Sequence, residues 1–249
     1  MALPESQSIS SGDGSSPRIR LQTRDLGLER NSHWLFQNLE LNIPGGTFVA
    51  VLGPSGVGKS SLLACLCGSE NPTEGRVEFQ MADEKHVRTT ATISPSLGII
   101  FQNLRLTVQS SVLDNVLYGR LGQYSLKESL LGFPESEKQE AYTILEDLGI
   151  AHLAYKWITQ TSGGEQQRTA IARTLFQNPE IILADEPVSN LDTYYSGRVL
   201  GLLKNKALQE DKIVLCALHD PQLINRFADL ALSLNPEHPE GWRLRKVHP

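Results

Sequence analysis

The amino-acid sequence predicts an α/β fold, in which helices cover a mostly parallel β-sheet. Four short runs are apolar throughout instead of alternating with polar residues, at 48–52, 98–101, 181–184 and 213–218. Uniformly apolar runs of this length are typical of strands that are buried on both faces, as in a parallel sheet. Helix-like stretches lie between them, notably 60–66 and 162–176.

The amino-terminal part of the chain has a different pattern. Residues 1–17 are rich in serine and glycine and lack an apolar core, so we interpret them as a flexible tail and not as a secretory signal. The part from 19 to 52 alternates more strongly and contains a Pro-Gly-Gly turn at 44–46. It is expected to add antiparallel strands.

A segment from about 108 to 157 interrupts the α/β pattern, because it has leucines at helical spacing and no strong strand run. We interpret it as an α-helical subdomain inserted into one domain that spans 18–249. A chain of 249 residues accommodates one domain with an insertion more easily than two complete domains.

The composition is that of an ordinary globular protein, with 40% hydrophobic and 20% charged residues. A net charge of -5 argues against a nucleic-acid partner, because nucleic-acid-binding surfaces are usually basic. No stretch approaches the roughly 18 apolar residues of a membrane-spanning helix. We interpret the three cysteines, Cys65, Cys67 and Cys216, as buried small hydrophobic residues in a reducing compartment.

A glycine-rich loop follows the first apolar run. Residues 53–60 match G-x-x-x-x-G-K-[ST], in the strand–loop–helix context where this pattern binds phosphate through backbone N–H groups. Lys59 is expected to reach the β- and γ-phosphates, and Ser60 to offer its hydroxyl to Mg²⁺. The predicted nucleotide-binding residues here are Gly53, Pro54, Ser55, Gly56, Val57, Gly58, Lys59, Ser60 and Ser61.

A pair of carboxylates, Asp185 and Glu186, ends the third apolar run. An open α/β sheet places its ligands at the carboxyl ends of its strands. Asp185 is expected to hold Mg²⁺, directly or through water, because hard cations prefer oxygen ligands. Glu186 is expected to orient the water that attacks the γ-phosphate. The two motifs together predict a P-loop NTPase core.

The segment 161–168, TSGGEQQR, supplies a third motif. Ser162 and Glu165 form the S-x-x-E pattern of a capping box that opens a helix. Gly163 and Gly164 leave backbone N–H groups uncovered at that helix start, which makes an anion site. The segment resembles the signature sequence of the ABC ATPases, usually Leu-Ser-Gly-Gly-Gln. The resemblance extends over nearly the whole chain after the tail.

This resemblance implies the fold of an ABC ATPase, a P-loop core with an antiparallel β subdomain and an inserted α-helical subdomain. In the family, the helix start at Ser162, Gly163 and Gly164 contacts ATP that is bound by a second copy of the subunit, and ATP closes the dimer. Glu165 departs from the usual glutamine. A Glu165 side chain that folds back as a cap would interact favourably with the helix dipole, whereas one that turns toward ATP would repel the phosphates.

Three further residues match the family in the expected order. Gln102 resembles the glutamine that links the nucleotide to the transmembrane partner. Asp192 ends the segment 189–192, which resembles the loop that crosses the dimer interface in the family. His219 resembles the histidine that touches the γ-phosphate. The predicted catalytic residues are therefore Glu186, His219 and Gln102, and the predicted metal-binding residues are Ser60, Asp185 and Gln102.

The adenine contact has two candidates. Members of the family usually stack an aromatic residue on adenine, and that place falls at Arg30 in this sequence. A guanidinium can stack on a flat ring. Trp34 is the alternative.

Within the family, the chain is most similar to the ATPase subunit of phosphonate importers, on the segments 115–122, 125–133 and 166–173. This similarity implies transmembrane permease subunits, an extracytoplasmic solute-binding protein and a peripheral position on the cytoplasmic face of the inner membrane. The ATPase does not contact the solute, so no residue here selects a phosphonate.

Three alternatives compete with phosphonate import. The same motifs would serve the ATPase of an importer for another solute or of an exporter. A non-transport ABC protein in translation or DNA repair usually has two ATPase halves or a long coiled coil, and this chain has one set of motifs. The last alternative is a regulatory subunit that does not hydrolyse ATP. It is disfavoured because the hydrolysis residues are intact, namely Lys59, Asp185, Glu186 and His219.

Overall fold

A computed structural model of the chain describes residues 19–80, 88–89, 96–125 and 132–248, and the tail predicted at 1–17 lies outside them. The described strands are β1 (Arg20–Arg30), β2 (His33–Leu39), β3 (Asn42–Pro44), β4 (Thr47–Leu52), β5 (Glu74–Gln80), β6 (Arg88–Thr89), β7 (Leu97–Ile100), β8 (Ile181–Asp185), β9 (Ile213–Ala217), β10 (Leu230–Ser233) and β11 (Arg243–Lys246). The described α-helices are α1 (Lys59–Leu66), α2 (Val112–Leu117), α3 (Glu135–Asp147), α4 (Gly163–Gln177), α5 (Thr193–Glu210) and α6 (Pro221–Phe227).

The central sheet has the order β11-β10-β4-β9-β8-β7. Its strands run parallel from β10 to β7, and only the edge strand β11 is antiparallel to its neighbour. Alternate residues of β4 enter two different core clusters, Phe48 and Ala50 on one face and Val49 and Val51 on the other. Burial on both faces explains the uniformly apolar runs, and the predicted α/β fold is confirmed.

The second sheet is antiparallel, with the order β2-β1-β5-β6 and β3 paired to β1. It provides the antiparallel strands that the alternation in 19–52 predicted. Helix α1 lies in the core between the two sheets, where Leu62 and Leu66 are in one cluster with Phe36 of β2 and Leu215 of β9. This packing fixes the glycine-rich loop, which immediately precedes α1, against the end of β4.

The regular elements among the described residues between 108 and 157 are helices and 3-10 turns, apart from an isolated bridge between Ser111 and Trp157. Helices α2 and α3 and short 3-10 turns occupy this segment. Val116 of α2 and Leu145 of α3 are fully buried in the cluster that contains Phe176 of α4. The segment therefore packs on the face of the central sheet that carries Phe48 and Ala50, opposite to the face covered by α1. Its assignment as a separate subdomain stays a prediction.

The three cysteines are buried and free, as the sequence predicted. Burial raises the pKa of the Cys65 thiol to about 12 and that of the Cys216 thiol well above its usual value. In the part of the chain that the structure describes, every helix is too short or too polar to cross a bilayer.

Candidate nucleotide site

The glycine-rich loop connects the end of β4 to the start of α1. Gly53, Gly56 and Gly58 have φ values of 146°, 81° and 106°, which residues with a side chain rarely adopt. A Cβ atom at Gly53 would lie 2.7 Å from Cγ1 of Val57, so the loop has no room for one. The glycines of the motif are therefore required by the backbone path of the loop.

Lys59 is the first residue of α1 and its side chain returns into the loop. The residue is only 6% exposed, and its Nζ donates to the carbonyl oxygens of Gly53 at 2.9 Å and Pro54 at 3.0 Å. These bonds use two of the three N–H donors of the ammonium group. Ser60, the next residue, is exposed at the start of the helix. A positive charge and a hydroxyl thus border the same loop.

The structure brings Glu186 and His219 together at the carboxyl ends of β8 and β9. The two strands are adjacent and parallel, with Asp185 opposite Ala217. Nε2 of His219 lies 2.7 Å from Oε1 of Glu186. Glu186 itself has a φ of 50°, in the left-handed region. Asp185 and Glu186 are both partly exposed, so they can reach a ligand at this edge of the sheet.

The capping box predicted at the start of α4 is present. The backbone N–H of Glu165 donates to Oγ of Ser162 at 3.4 Å, and Oε2 of Glu165 accepts from the backbone N–H of Ser162 at 2.7 Å. This second bond lowers the pKa of the Glu165 carboxyl below its usual value. Of the two orientations considered for Glu165, the structure has the one folded back as a cap. A Cβ at Gly163 would meet open space.

Gln102 is exposed on the loop after β7. The residues that follow it are held by α4, because Arg173 donates to the carbonyl oxygens of Leu104 at 2.8 Å and Arg105 at 2.7 Å. Leu104 and Arg105 both have left-handed backbones, with φ values of 55° and 45°. The guanidinium of Arg105 lies 3.9 Å from the ring centroid of Phe101. Arg173 was not recognised from the sequence.

Asp192 ends the loop after β8, where Oδ1 accepts from the backbone N–H of Tyr195 at 2.8 Å and caps α5. Its contact with a nucleotide stays a prediction.

Gln167 was also not recognised as a site residue from the sequence. Its Nε2 donates to the backbone carbonyl of Glu186 at 3.0 Å, and its Oε1 accepts from the backbone N–H of Asn190 at 3.1 Å. Both partners lie far from it in the sequence, so no local motif could have indicated this contact.

The two candidates for the adenine contact have partners within the chain. Arg30 donates to both carboxylate oxygens of Glu70 at 2.7 Å. Trp34 is partly buried, and its Cζ3 lies 2.9 Å from the place of a Cβ on Gly27. Leu35 borders the glycine-rich loop, since its Cβ lies 3.1 Å from the place of a Cβ on Gly58. The hairpin of β1 and β2 is thus next to the loop.

Comparison with known proteins identifies the family. Residues 36–189 match the family model described as ABC transporter. The chain belongs to the ABC transporter family. This match confirms the resemblance to the ABC ATPases that the sequence indicated. It agrees with the glycine-rich loop, the paired carboxylates and the capped glycine-rich helix start of this ABC protein.

Two relatives and one solved structure illustrate the similarity. The chain is 36% identical over 218 residues to a phosphonates import ATP-binding protein of Oceanobacillus iheyensis, covering 86% of each chain. It is 35% identical over 215 residues to a hypophosphite import ATP-binding protein of Stutzerimonas stutzeri, covering 85% of this chain and 63% of the relative. A dimeric ATP-binding cassette in a post-hydrolysis state, bound to ADP and Pi, matches 92% of this chain and 99% of its own with a TM-score of 0.77 and 27% identity. The ABC ATPase fold class is thereby confirmed.

Proposed function

We propose that this chain is the ATP-hydrolysing subunit of an ABC importer for phosphonates, working as a pair of copies beneath a separate permease. The observation that carries the proposal is the contact of His219 with Glu186 at the ends of adjacent strands. A carboxylate and an imidazole thus lie at the edge of the sheet where an open α/β fold binds its ligands, and the proposal gives the carboxylate the role of proton acceptor. The similarity to phosphonates import ATP-binding proteins supports the transported class.

The phosphates of ATP are assigned to the glycine-rich loop, with Lys59 on the β- and γ-phosphates. Ser60 and Asp185 would supply oxygen donors for Mg²⁺, and Gln102 is a further candidate. These donors fit Mg²⁺, which prefers oxygen ligands and keeps part of its water shell. Helix α1 packs against β8, so Ser60 and Asp185 belong to neighbouring elements. Held there with ATP, Mg²⁺ would supply charge neutralisation at the transferring phosphoryl group.

Hydrolysis is assigned to Glu186 with His219. The Glu186 carboxylate orients a water molecule toward the γ-phosphate and accepts its proton as the new P–O bond forms. ADP then leaves with the electron pair of the broken bond. His219 holds the carboxylate through its Nε2 and is assigned to the γ-phosphate side of the site. Orientation and charge neutralisation are the main demands of phosphoryl transfer on a protein.

The partner of the site is a second copy of this chain. The capped start of α4, with Ser162, Gly163 and Gly164, would contact ATP held by the other copy, and Asp192 would lie near the same interface. Uncovered N–H groups at a helix start favour phosphate. The relative that was solved as a dimer with ADP and Pi supports this arrangement. An extracytoplasmic solute-binding protein and a site on the cytoplasmic face of the inner membrane complete the proposal.

An importer for another phosphorus oxyanion is the second candidate, because one relative is named for hypophosphite. The test assembles the chain with its permease and solute-binding protein in vesicles and measures ATP hydrolysis with phosphonate, hypophosphite or phosphate present. Phosphonate should stimulate hydrolysis most strongly. Stimulation by hypophosphite alone would select the second candidate, and stimulation by an unrelated solute would overturn both.

The matched control for this experiment is Lys59→Ala. Removing one charge from the phosphate site should lower hydrolysis about 10²- to 10³-fold with every solute. A Lys59→Ala complex that hydrolyses ATP at the parent rate would contradict the assignment of the nucleotide site itself.

A further inference from the structure

Gln167 lies on α4 directly behind Glu186. Only 2% of the surface of Gln167 is exposed. The Nε2 donor bonds the carbonyl oxygen of Glu186 at 3.0 Å and lies 3.5 Å from Oγ of Ser189, while Oε1 accepts from the N–H of Asn190 at 3.1 Å. One buried amide therefore joins the end of β8, the loop before α5 and helix α4.

The backbone of Glu186 needs such support. Its φ of 50° is in the left-handed region, and a residue with a side chain stays there only when its surroundings fix it. The carbonyl of Glu186 accepts from Gln167 and, at 3.3 Å, from the N–H of Ser189. The carboxylate of the same residue contacts His219 at 2.7 Å. A change in the backbone would therefore move the carboxylate away from its place.

The other end of the connection is the start of α4. Gln167 follows the capping box of Ser162 and Glu165 on the same helix, and Ala170, Ile171 and Ala172, about one turn further along, are fully buried. A helix that is held this firmly moves as a unit. A displacement of its capped start is then transmitted to the backbone of Glu186 through one side chain.

We infer that Gln167 is a positioning residue that couples the two nucleotide sites of the dimer. The inference rests on the proposed function, in which the start of α4 contacts ATP on the partner copy and Glu186 orients water for ATP on its own copy. Gln167 holds the Glu186 carboxylate in its working position only when α4 has the position seen in this structure, where both hydrogen bonds of Gln167 are made. Each copy thereby senses occupation of the second site before it hydrolyses ATP in the first.

Gln167→Met tests the inference, because methionine matches the length of glutamine and makes neither hydrogen bond. Misplacing a reacting group by about 1 Å costs on the order of 10²-fold in rate, so kcat should fall by that order while the Kd for ATP changes little. Gln166→Met is the matched control. Gln166 also donates to two carbonyls, those of Ile158 and Thr161, at 3.2 and 3.1 Å, without reaching Glu186. Its kcat should stay within a few-fold of the parent.

The double variant Gln167→Met with Glu186→Gln separates positioning from general loss of structure. If Gln167 acts through Glu186, its substitution should lower kcat no further once the carboxylate is gone. Additive losses would overturn the inference. Should Glu186→Gln alone keep the parent rate, the proposed function fails. Should it abolish hydrolysis while Gln167→Met matches Gln166→Met, the inference alone fails.

Gln167→Glu provides a second readout in case the methionine variant does not fold. Only the protonated carboxyl can both donate to Glu186 and accept from Asn190, and burial raises the pKa of a carboxyl group. The ratio of its kcat to that of the parent should therefore rise as the pH is lowered from about 8 to about 6. A ratio that does not change with pH would overturn the inference.

Discussion

Nε2 of His219 lies 2.7 Å from Oε1 of Glu186, although 33 residues separate the two in the sequence. The parallel register of β8 and β9 sets this contact, because Asp185 lies opposite Ala217 and both strands end at or next to this pair. The imidazole side chain is 51% exposed and the carboxylate side chain 25% exposed. The pair is therefore held by the fold and is still accessible to a ligand.

The first prediction concerns the carboxylate of this pair. Glu186→Gln keeps the size of the side chain and a contact with His219 but weakens activation of water. ATP should then bind with only slow residual hydrolysis and hold two copies together. A sizing column with Mg-ATP should show a dimer, whereas Glu237→Gln, which removes an exposed charge far along the chain, should behave like the parent. A monomer that hydrolyses ATP normally would contradict the role of Glu186.

The second prediction concerns Gln102, which is exposed beside a loop that Arg173 holds. A partner changes its state only when its contacts differ between the open and closed dimers. Gln102→Ala should therefore lower transport-coupled hydrolysis in the permease complex much more than it lowers ATP affinity. The neighbouring Asn103→Ala is the control. Equal losses in affinity and in coupled hydrolysis would contradict a coupling role for Gln102.

The part of the fold that could be predicted is the part with a strong local pattern. The central strands were recognised because both of their faces are buried. Strand β5 was not, because only Val77, Glu78 and Phe79 of its seven residues are buried and its ends are polar. Strands β10 and β11 are four residues each, too short for a pattern to stand out.

The candidate site shows the same limit. The capping box at Ser162 was recognised because its two residues are three apart in the sequence. The contacts of Gln167 span 19 and 23 residues, and those of Arg173 span 68 and 69, so only the folded chain brings them together. Residues that position a site from behind are therefore the ones that sequence patterns miss.

The third prediction follows from the pKa of Glu165. The bond from the Ser162 N–H lowers this pKa below its usual 4.5, so the charged carboxylate stabilises the folded state above that pH. The contribution is lost as the pH falls through the lowered folded pKa. Glu165→Gln keeps the capping box and removes the charge.

For this carboxylate, which is partly exposed, the loss at neutral pH should be small, toward the lower end of about 0.3–1 kcal/mol. The decisive measurement is urea unfolding at several pH values. The difference between Glu165→Gln and the parent should shrink below about pH 4.5. A difference that stays constant from neutral to acid pH would contradict the assigned cap.

The fourth prediction concerns Arg120, which joins the segment after α2 to α3 and α4. Its Nε donates to the carbonyl of Phe176 at 2.7 Å, its Nη1 bonds Glu140 at 2.6 Å, and its guanidinium lies 4.0 Å from the Phe176 ring centroid. The side chain is only 15% exposed. A lysine cannot make the forked pair and the stacked contact at once.

Arg120→Lys should therefore lower the free energy of unfolding by about 1–3 kcal/mol, because the buried carbonyl of Phe176 loses its charged donor. Urea unfolding measures this change, provided that the slope with denaturant is the same in both proteins. Lys138→Met is the control, because it removes an ion pair of the same kind at an exposed position. Lys138 contacts Glu135 at 3.2 Å, and the two side chains are 44% and 87% exposed. Such an exposed pair contributes about 0–1 kcal/mol. If both variants lose the same small amount, Arg120 does not hold these helices together, and apolar contacts such as those of Val116 and Leu145 hold the segment.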